Sequence, residues 1–545
     1  MTKVRTVDPP KRFSNIFKDQ EYSMRPLALL LFNNFIFLFY IILSFLDITF
    51  LKGITVGFMV LFLPGLGWTL FILSRKRDII IDLVVMVLVS SLIFIAGLLF
   101  FQFVDLEIIY RNFIWYLLVV SNIGIFLTFR KKLNLLINKH HLVVFVVAIV
   151  IFGISSVYMP KTNDADIHFT STAYGLIHEL KPYTNLWGNP YEFQHSTWPH
   201  LMSACSIFLM GKLHEVKHQY IQSKNGDRDK YPYEAQRLRG KRELLFSSRI
   251  PHFFLAALLL LILFEIVKKE TLSSSLAFFT VTIFSLIPEM FIRFAFASYE
   301  CLELFIFLAI SYAYLYHYNS RWLLFLLGFW ALWINQKTVI LPMAVIGTDF
   351  FRNRWRPNLA SWMPLFGFCV GLLTICLYGY MLDWGSFYGA FLVTHGLPGL
   401  FLYSDIPGFF TAWTKAILFM NPLIFIMSFC GVLYLSLKSI KTRLFIIPMW
   451  FFIGTLVFVM CKWPHIKNCS FVYPALIISL AYFLKGMKYR VRQVVAGIII
   501  IISCFNFFFL YVTVQRRGLV VGGNEEKRKP RDAIDLYIHL LKEQP

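Results

Sequence analysis

Residues 79–102 read IIIDLVVMVLVSSLIFIAGLLFFQ. The block carries one charge, Asp82, and shows no polar–apolar alternation, so it reads as an apolar helix able to cross ~30 Å of hydrocarbon rather than as a barrel strand. Arg75-Lys76-Arg77 stand before it, and Asp105 and Glu107 after it. Because bases accumulate on cytoplasmic loops, this asymmetry also gives the block a direction. Comparable blocks lie at 27–46, 53–73, 114–129 and 142–158, ahead of the first long polar stretch. Ten more follow, at 249–267, 271–290, 301–317, 322–335, 338–349, 361–382, 413–437, 444–461, 470–484 and 493–514. The fold class is therefore all-α and polytopic, with roughly 15 transmembrane helices, two of them short.

Composition agrees with that pattern. The 545 residues are 58% hydrophobic, 18% aromatic and only 15% charged, and the mean hydropathy of +0.65 excludes a string of soluble domains or a disordered chain. The balance of 52 Lys+Arg against 30 Asp+Glu gives a formal charge of +22. These bases cluster at the ends of apolar blocks, where membrane topology accounts for them without a nucleic-acid partner. The eight cysteines are scattered, mostly in apolar runs, with no CxxC or zinc spacing.

Counting spans from a cytoplasmic N-terminus puts residues 158–249 and the C-terminal tail on the outer side of the membrane. Three regions follow. Residues 1–140 form an N-terminal four-helix membrane extension; 141–515 form the membrane core, with an outer loop at 159–248; 516–545 form a short tail. One part of the loop runs against the charge rule, since 211–248 holds nine bases against five acids. It reads as a basic insertion, either simply solvated or a surface that attracts phosphates and anionic headgroups.

The outer loop gathers polar side chains: Asn163-Asp164-Ala165-Asp166-Ile167-His168, Lys181-Pro182-Tyr183, and Gln194-His195-Ser196-Thr197-Trp198-Pro199-His200. Asp164 and Asp166 follow a span directly, which puts both carboxylates at headgroup level. A lone Asp-x-Asp is weak by itself, because Asp164 can equally cap a helix over 167–180.

The order of features resembles glycosyltransferase superfamily C, in particular its protein O-mannosyltransferase-like and lipid A aminoarabinose transferase-like families. Asp164 to His168 resembles the Asp-Glu-x-Tyr-His start of the family's first outer loop. Gly175 to Tyr183 is similar to its short helix and Lys-Pro-Tyr, and Trp198 to Gly211 to its second amphipathic helix. Ser248 to Pro251 resembles the Arg-hydrophobic-Pro that opens the next span. Pro288 to Phe305, Trp322 to Pro342 and Lys467 to Pro474 continue the likeness, which covers roughly residues 142–480. Ala165 and Glu300 depart from the family pattern.

The resemblance implies a transferase that moves a single sugar from a polyprenyl-phosphate donor to a lipid, glycan or protein acceptor. Such chemistry needs a carboxylate to deprotonate the acceptor hydroxyl and cations to receive the departing phosphate. Asp164 and Asp166 are the catalytic candidates, with a divalent cation (Mg or Mn) as a possible occupant between them. Arg249, Arg293 and Lys337 are the candidate phosphate contacts. His168, Tyr183, His195, Glu300, His465 and Lys467 complete the substrate-binding set. The resemblance fits a bacterial inner membrane with the site on the periplasmic side; an endoplasmic reticulum membrane is the alternative. Three rival functions stay open: a pyrophosphate-donor oligosaccharide or O-antigen ligase, a scaffold subunit that keeps the fold and has lost the chemistry, and a transporter or flippase. The last calls for inverted repeats and charge-bearing broken helices, neither of which is visible in the sequence.

Overall fold

The computed structural model describes residues 20–23, 26–46, 48–73, 78–104, 108, 110–129, 134–137, 139–158, 164–183, 197–224, 241–356, 358–388, 406–459 and 469–517. Among them, nine helices are long and apolar enough to cross a membrane, joined by one bent helix pair and five shorter apolar helices. This is the polytopic helical architecture that the sequence implies. A two-stranded ribbon is added to it: Gln20–Ser23 pairs antiparallel with Asn134–Ile137, Gln20 standing opposite Ile137. The ribbon pairs backbone groups just before the helices Pro26–Leu46 and Lys139–Tyr158 begin.

Two elements differ from their expected form. Residues 271–290, read as one span, are two helices, Ser274–Leu286 and Pro288–Ala295, meeting at 79°. Pro288 has no N–H to give to the preceding turn, and it drives Ile287 into extended backbone (φ −66°, ψ 116°). The second arm carries Glu289 and Arg293, so a broken, charge-bearing helix does exist in this chain. The span expected from residue 249 starts earlier, as Arg242–Thr271, because Leu244, Leu245 and Phe246 are already buried. Pro251 consequently lies inside it. Beside the gap this proline leaves in the helix ladder, Ser203 Oγ donates to the Ser248 carbonyl at 2.9 Å.

Arg242–Thr271 is the central helix, its whole apolar window being buried. Around it pack Lys139–Tyr158, Ser274–Leu286, Tyr299–Tyr316, Thr197–Leu209 and Thr49–Leu61. Pro26–Leu46, Leu359–Phe387 and Tyr489–Arg517 lie outermost and expose residues such as Leu31, Phe35, Leu373 and Phe505, as lipid-facing helices do. With no hydrophobic gain to be had between helices in lipid, close backbone approach supplies the attraction. Arg321–Ile334 crosses Leu359–Phe387 in this way: a Cβ on Gly328 would lie 1.9 Å from the Pro364 carbonyl oxygen, and one on Gly367 2.0 Å from that of Phe325.

The far end of the central helix is tied by charge. Lys269 Nζ lies 3.2 Å from Asp78 Oδ2, His317 Nε2 lies 3.0 Å from the same oxygen, and Tyr312 donates to it at 2.6 Å. Asp78 also caps the next helix, accepting from Ile80 N–H at 3.0 Å. Burial alone would raise its pKa. The hydrogen bonds from His317 and Tyr312 and the charge of Lys269 outweigh burial and hold the carboxyl below the usual range.

Candidate functional site

At the other end of the central helix, ~25 Å away along its axis, the segments 164–183 and 197–216 fold into the protein. Asp164–Ser171 and Ala173–Glu179 are consecutive helices broken at Thr172. The second stops at Leu180, which adopts the left-handed region (φ 54°). The chain then turns tightly through Pro182, with Tyr183 N–H donating to the Lys181 carbonyl at 2.9 Å. Thr197–Leu209 is buried along nearly its whole length. At 13 residues it rises only ~20 Å, too little to cross the membrane. Its end is a Schellman cap: Gly211 (φ 78°) N–H bonds to Phe208 O at 2.9 Å and Lys212 N–H to Ile207 O at 3.0 Å.

His200 joins these segments to the core. Thr172 Oγ1 uses its proton on the His168 carbonyl at 3.0 Å, so it accepts from His200 Nδ1 at 3.1 Å. The other ring nitrogen, Nε2, is then the acceptor for Tyr299 OH at 2.8 Å. Phe169 fills the space between, its ring centroid 4.9 Å from His200, 4.7 Å from His252 and 4.8 Å from Tyr299. His252 continues the network. Its Nδ1 accepts from Ser298 N–H at 3.1 Å, and its Nε2 lies 3.1 Å from Ser203 Oγ.

Three of the expected substrate-binding residues meet beside this network. Ser298 Oγ donates to Glu300 Oε2 at 2.7 Å, and Arg293 stands 3.8 Å from that oxygen and 3.4 Å from Glu289 Oε1. Arg249, 1% exposed, places its guanidinium 4.5 Å from the centroid of the Phe296 ring and donates to the Ser156 carbonyl at 3.0 Å. Ser156 Oγ in turn donates to the Ala295 carbonyl at 2.7 Å. Two arginines and a glutamate thus converge on the segment 293–300, where the bent pair ends and the next helix starts.

Lys337 sits on the adjoining turn, a 3-10 helix Gln336–Val339 capped by Asn335, whose Oδ1 accepts from Lys337 N–H at 3.2 Å. His168 is buried next to Phe169. Tyr183 donates to Glu179 Oε2 at 3.1 Å and packs against Tyr220 of the basic insertion at 5.4 Å. That insertion is clamped at its base: Lys212 pairs with Glu243 and, at 3.6 Å, with Glu215. The Glu243 hydrogen bond is the main cause of the upward shift of the Lys212 ammonium.

The backbone at Asp164 and Asp166 forms the first turn of its helix, but their side chains lie outside the described residues, as do His195, His465 and Lys467. Among the described residues, no group of three or more His, Cys, Asp or Glu is placed to hold a metal ion. His252, Tyr299, Glu303 and Asn335 were missed by the sequence reading. Their signal was a polar residue beside a proline or inside an apolar run, as in Ile250-Pro251-His252 and Glu300-Cys301-Leu302-Glu303.

No protein-family model and no curated protein matches the chain. The structure does resemble a solved one, ArnT from Cupriavidus metallidurans bound to undecaprenyl phosphate. The TM-score is 0.50 at 12% sequence identity, over 73% of this chain and 69% of that one. What the two chains share is the fold of a polytopic membrane protein.

Proposed function

We propose that the chain is a membrane glycosyltransferase that moves a single sugar from a polyprenyl-phosphate donor to an envelope or secretory-pathway acceptor by inverting displacement. The observation that carries this reading is the fold shared with a protein solved bound to undecaprenyl phosphate. The gathering of Arg249, Arg293 and Glu300 beside the first loop helix supports it. Asp164 takes the proton of the acceptor hydroxyl, whose oxygen bonds to the anomeric carbon as the bond from that carbon to the phosphate oxygen breaks. Arg249, Arg293 and Lys337 receive the departing lipid phosphate. Asp166 assists directly or, with Asp164, holds a divalent cation (Mg or Mn). The site faces the outer side of a bacterial inner membrane.

The test is transfer by the purified chain in nanodiscs, supplied with undecaprenyl-phosphate-linked labelled sugars and membrane-extract acceptors. Release of undecaprenyl phosphate with label moving to an acceptor is the expected result, and intact donor with every sugar tried overturns the reading. A second reading, a lipid flippase, is favoured by the bent pair bearing Glu289 and Arg293. Movement of labelled lipid between leaflets of a proteoliposome without bond cleavage would select it.

A further inference from the structure

Lys337 has a buried carboxylate behind it. Glu303 lies one turn along the helix Tyr299–Tyr316 from Glu300 and is 3% exposed. A charged side chain at such a place costs several kcal/mol unless strong hydrogen bonds offset it. Glu303 Oε1 accepts from Asn335 Nδ2. Asn335 is in turn the cap of the turn that carries Lys337, since its Oδ1 accepts from Lys337 N–H. The Asn335 carbonyl also receives Thr338 N–H at 3.2 Å and Thr338 Oγ1 at 2.6 Å. Both ends of the Asn335 amide are therefore used, one on the buried acid and one on the lysine backbone. Without Glu303 the Asn335 amide keeps only one of its two anchors, so the cap that orders the turn is held less firmly.

We propose that Glu303 is a positioning residue: acting through Asn335, it fixes the turn that presents Lys337 to the phosphate of the lipid donor. The inference rests on the donor reading above. It goes beyond that reading by giving a role to Glu303, a buried acid that the reading leaves unused. A hydrogen bond to a charged group is worth enough that its loss reads as about tenfold or more in an equilibrium.

The probe is undecaprenyl phosphate titrated into the full-length chain in nanodiscs, with neutral undecaprenol as the control and native mass spectrometry as the readout. Wild type should prefer the phosphorylated lipid. Glu303→Leu should lose about tenfold of that preference, and Glu303→Gln, whose amide oxygen still accepts from Asn335, should keep most of it. Asn335→Ser, which preserves the cap but not the bond to Glu303, should behave like Glu303→Leu and keeps the test open if that variant does not fold. The decisive arm is the double variant Glu303→Leu/Lys337→Ala, expected to bind no worse than Lys337→Ala alone. Additive losses, or unchanged preference in Asn335→Ser, overturn the positioning role. Equal binding of the two lipids by wild type overturns the donor reading itself and removes the ground of the inference.

Discussion

Tyr299 donates its hydroxyl to His200 Nε2 at 2.8 Å, and this bond fastens the start of a core helix to the helix Thr197–Leu209. His200 is fully buried and Tyr299 nearly so. Because Thr172 takes the other face of the imidazole, His200 fixes the spacing between the first loop helix, the second loop helix and the segment bearing Glu300.

The first prediction follows from that geometry. Tyr299→Phe removes one hydroxyl and leaves a buried ring nitrogen without its donor, which costs about 1–3 kcal/mol. His200→Leu should cost at least as much, since it removes the hydrogen bonds to both Thr172 and Tyr299, and His200→Gln should recover part of the loss. Thermal unfolding of the detergent-solubilised chain measures this. Equal stability of wild type and His200→Leu would refute the link.

A second prediction concerns pH and the opposite end of the central helix. The Asp78 carboxyl is held below its ordinary range by His317, Tyr312 and Lys269, so its stabilising contribution is complete above the unfolded carboxyl pKa of about 3.9. It fades as pH falls below that value toward the depressed folded one. Asp78→Asn should lower stability at neutral pH by about 1–2 kcal/mol, the scale of losing charged hydrogen bonds at a partly exposed site, and should flatten the acid limb of a stability-versus-pH curve. An unaltered acid limb in the variant would show that other carboxylates govern it.

Helix pairing in the N-terminal region supplies a third. Asn33 Nδ2 donates to Asn122 Oδ1 at 2.8 Å, Asn122 Nδ2 to Asn34 Oδ1 at 3.0 Å, and Ser121 Oγ to Asn33 Oδ1 at 2.8 Å. Amide ladders of this kind inside membranes are worth about 0.5–2 kcal/mol. Asn122→Leu, which breaks both amide bonds, should therefore destabilise by that amount in a reversible unfolding assay in bicelles. A leucine variant as stable as wild type would mean that apolar packing alone sets the pairing of these helices.

What the sequence made legible was whatever depends on runs of neighbours. Apolar blocks such as 79–102 announce spans because hydrocarbon thickness acts on about 20 consecutive residues. The break at Pro288 was legible in principle, since proline restricts the residue before it, but the apolar run on both sides hid it. Contacts across long separations left no such trace. Glu303 and Asn335 are 32 residues apart and His200 and Tyr299 are 99 apart, and only folding brings them together. Arg249, Arg293 and Glu300 could be named one by one from a resemblance, yet their convergence depends on the 79° bend. Tyr183 was named from the Lys-Pro-Tyr likeness, and its hydrogen bond to Glu179 is a local contact that the sequence did not show.

The last prediction bears on the proposed chemistry directly. A base that accepts a hydroxyl proton in the transition state contributes about 10²- to 10⁴-fold. Asp164→Asn keeps the size of the side chain but loses the basicity. It should therefore abolish most turnover while undecaprenyl phosphate binding survives. Asp166→Asn is the internal control. A small effect there leaves Asp164 as the lone base, whereas equal damage from both, together with loss of activity in EDTA, would indicate a shared cation and favour a pyrophosphate-donor ligase. Full transfer by Asp164→Asn at matched protein level would eliminate the displacement mechanism, because no other loop carboxylate stands at the start of that helix except Asp166, which the control tests separately.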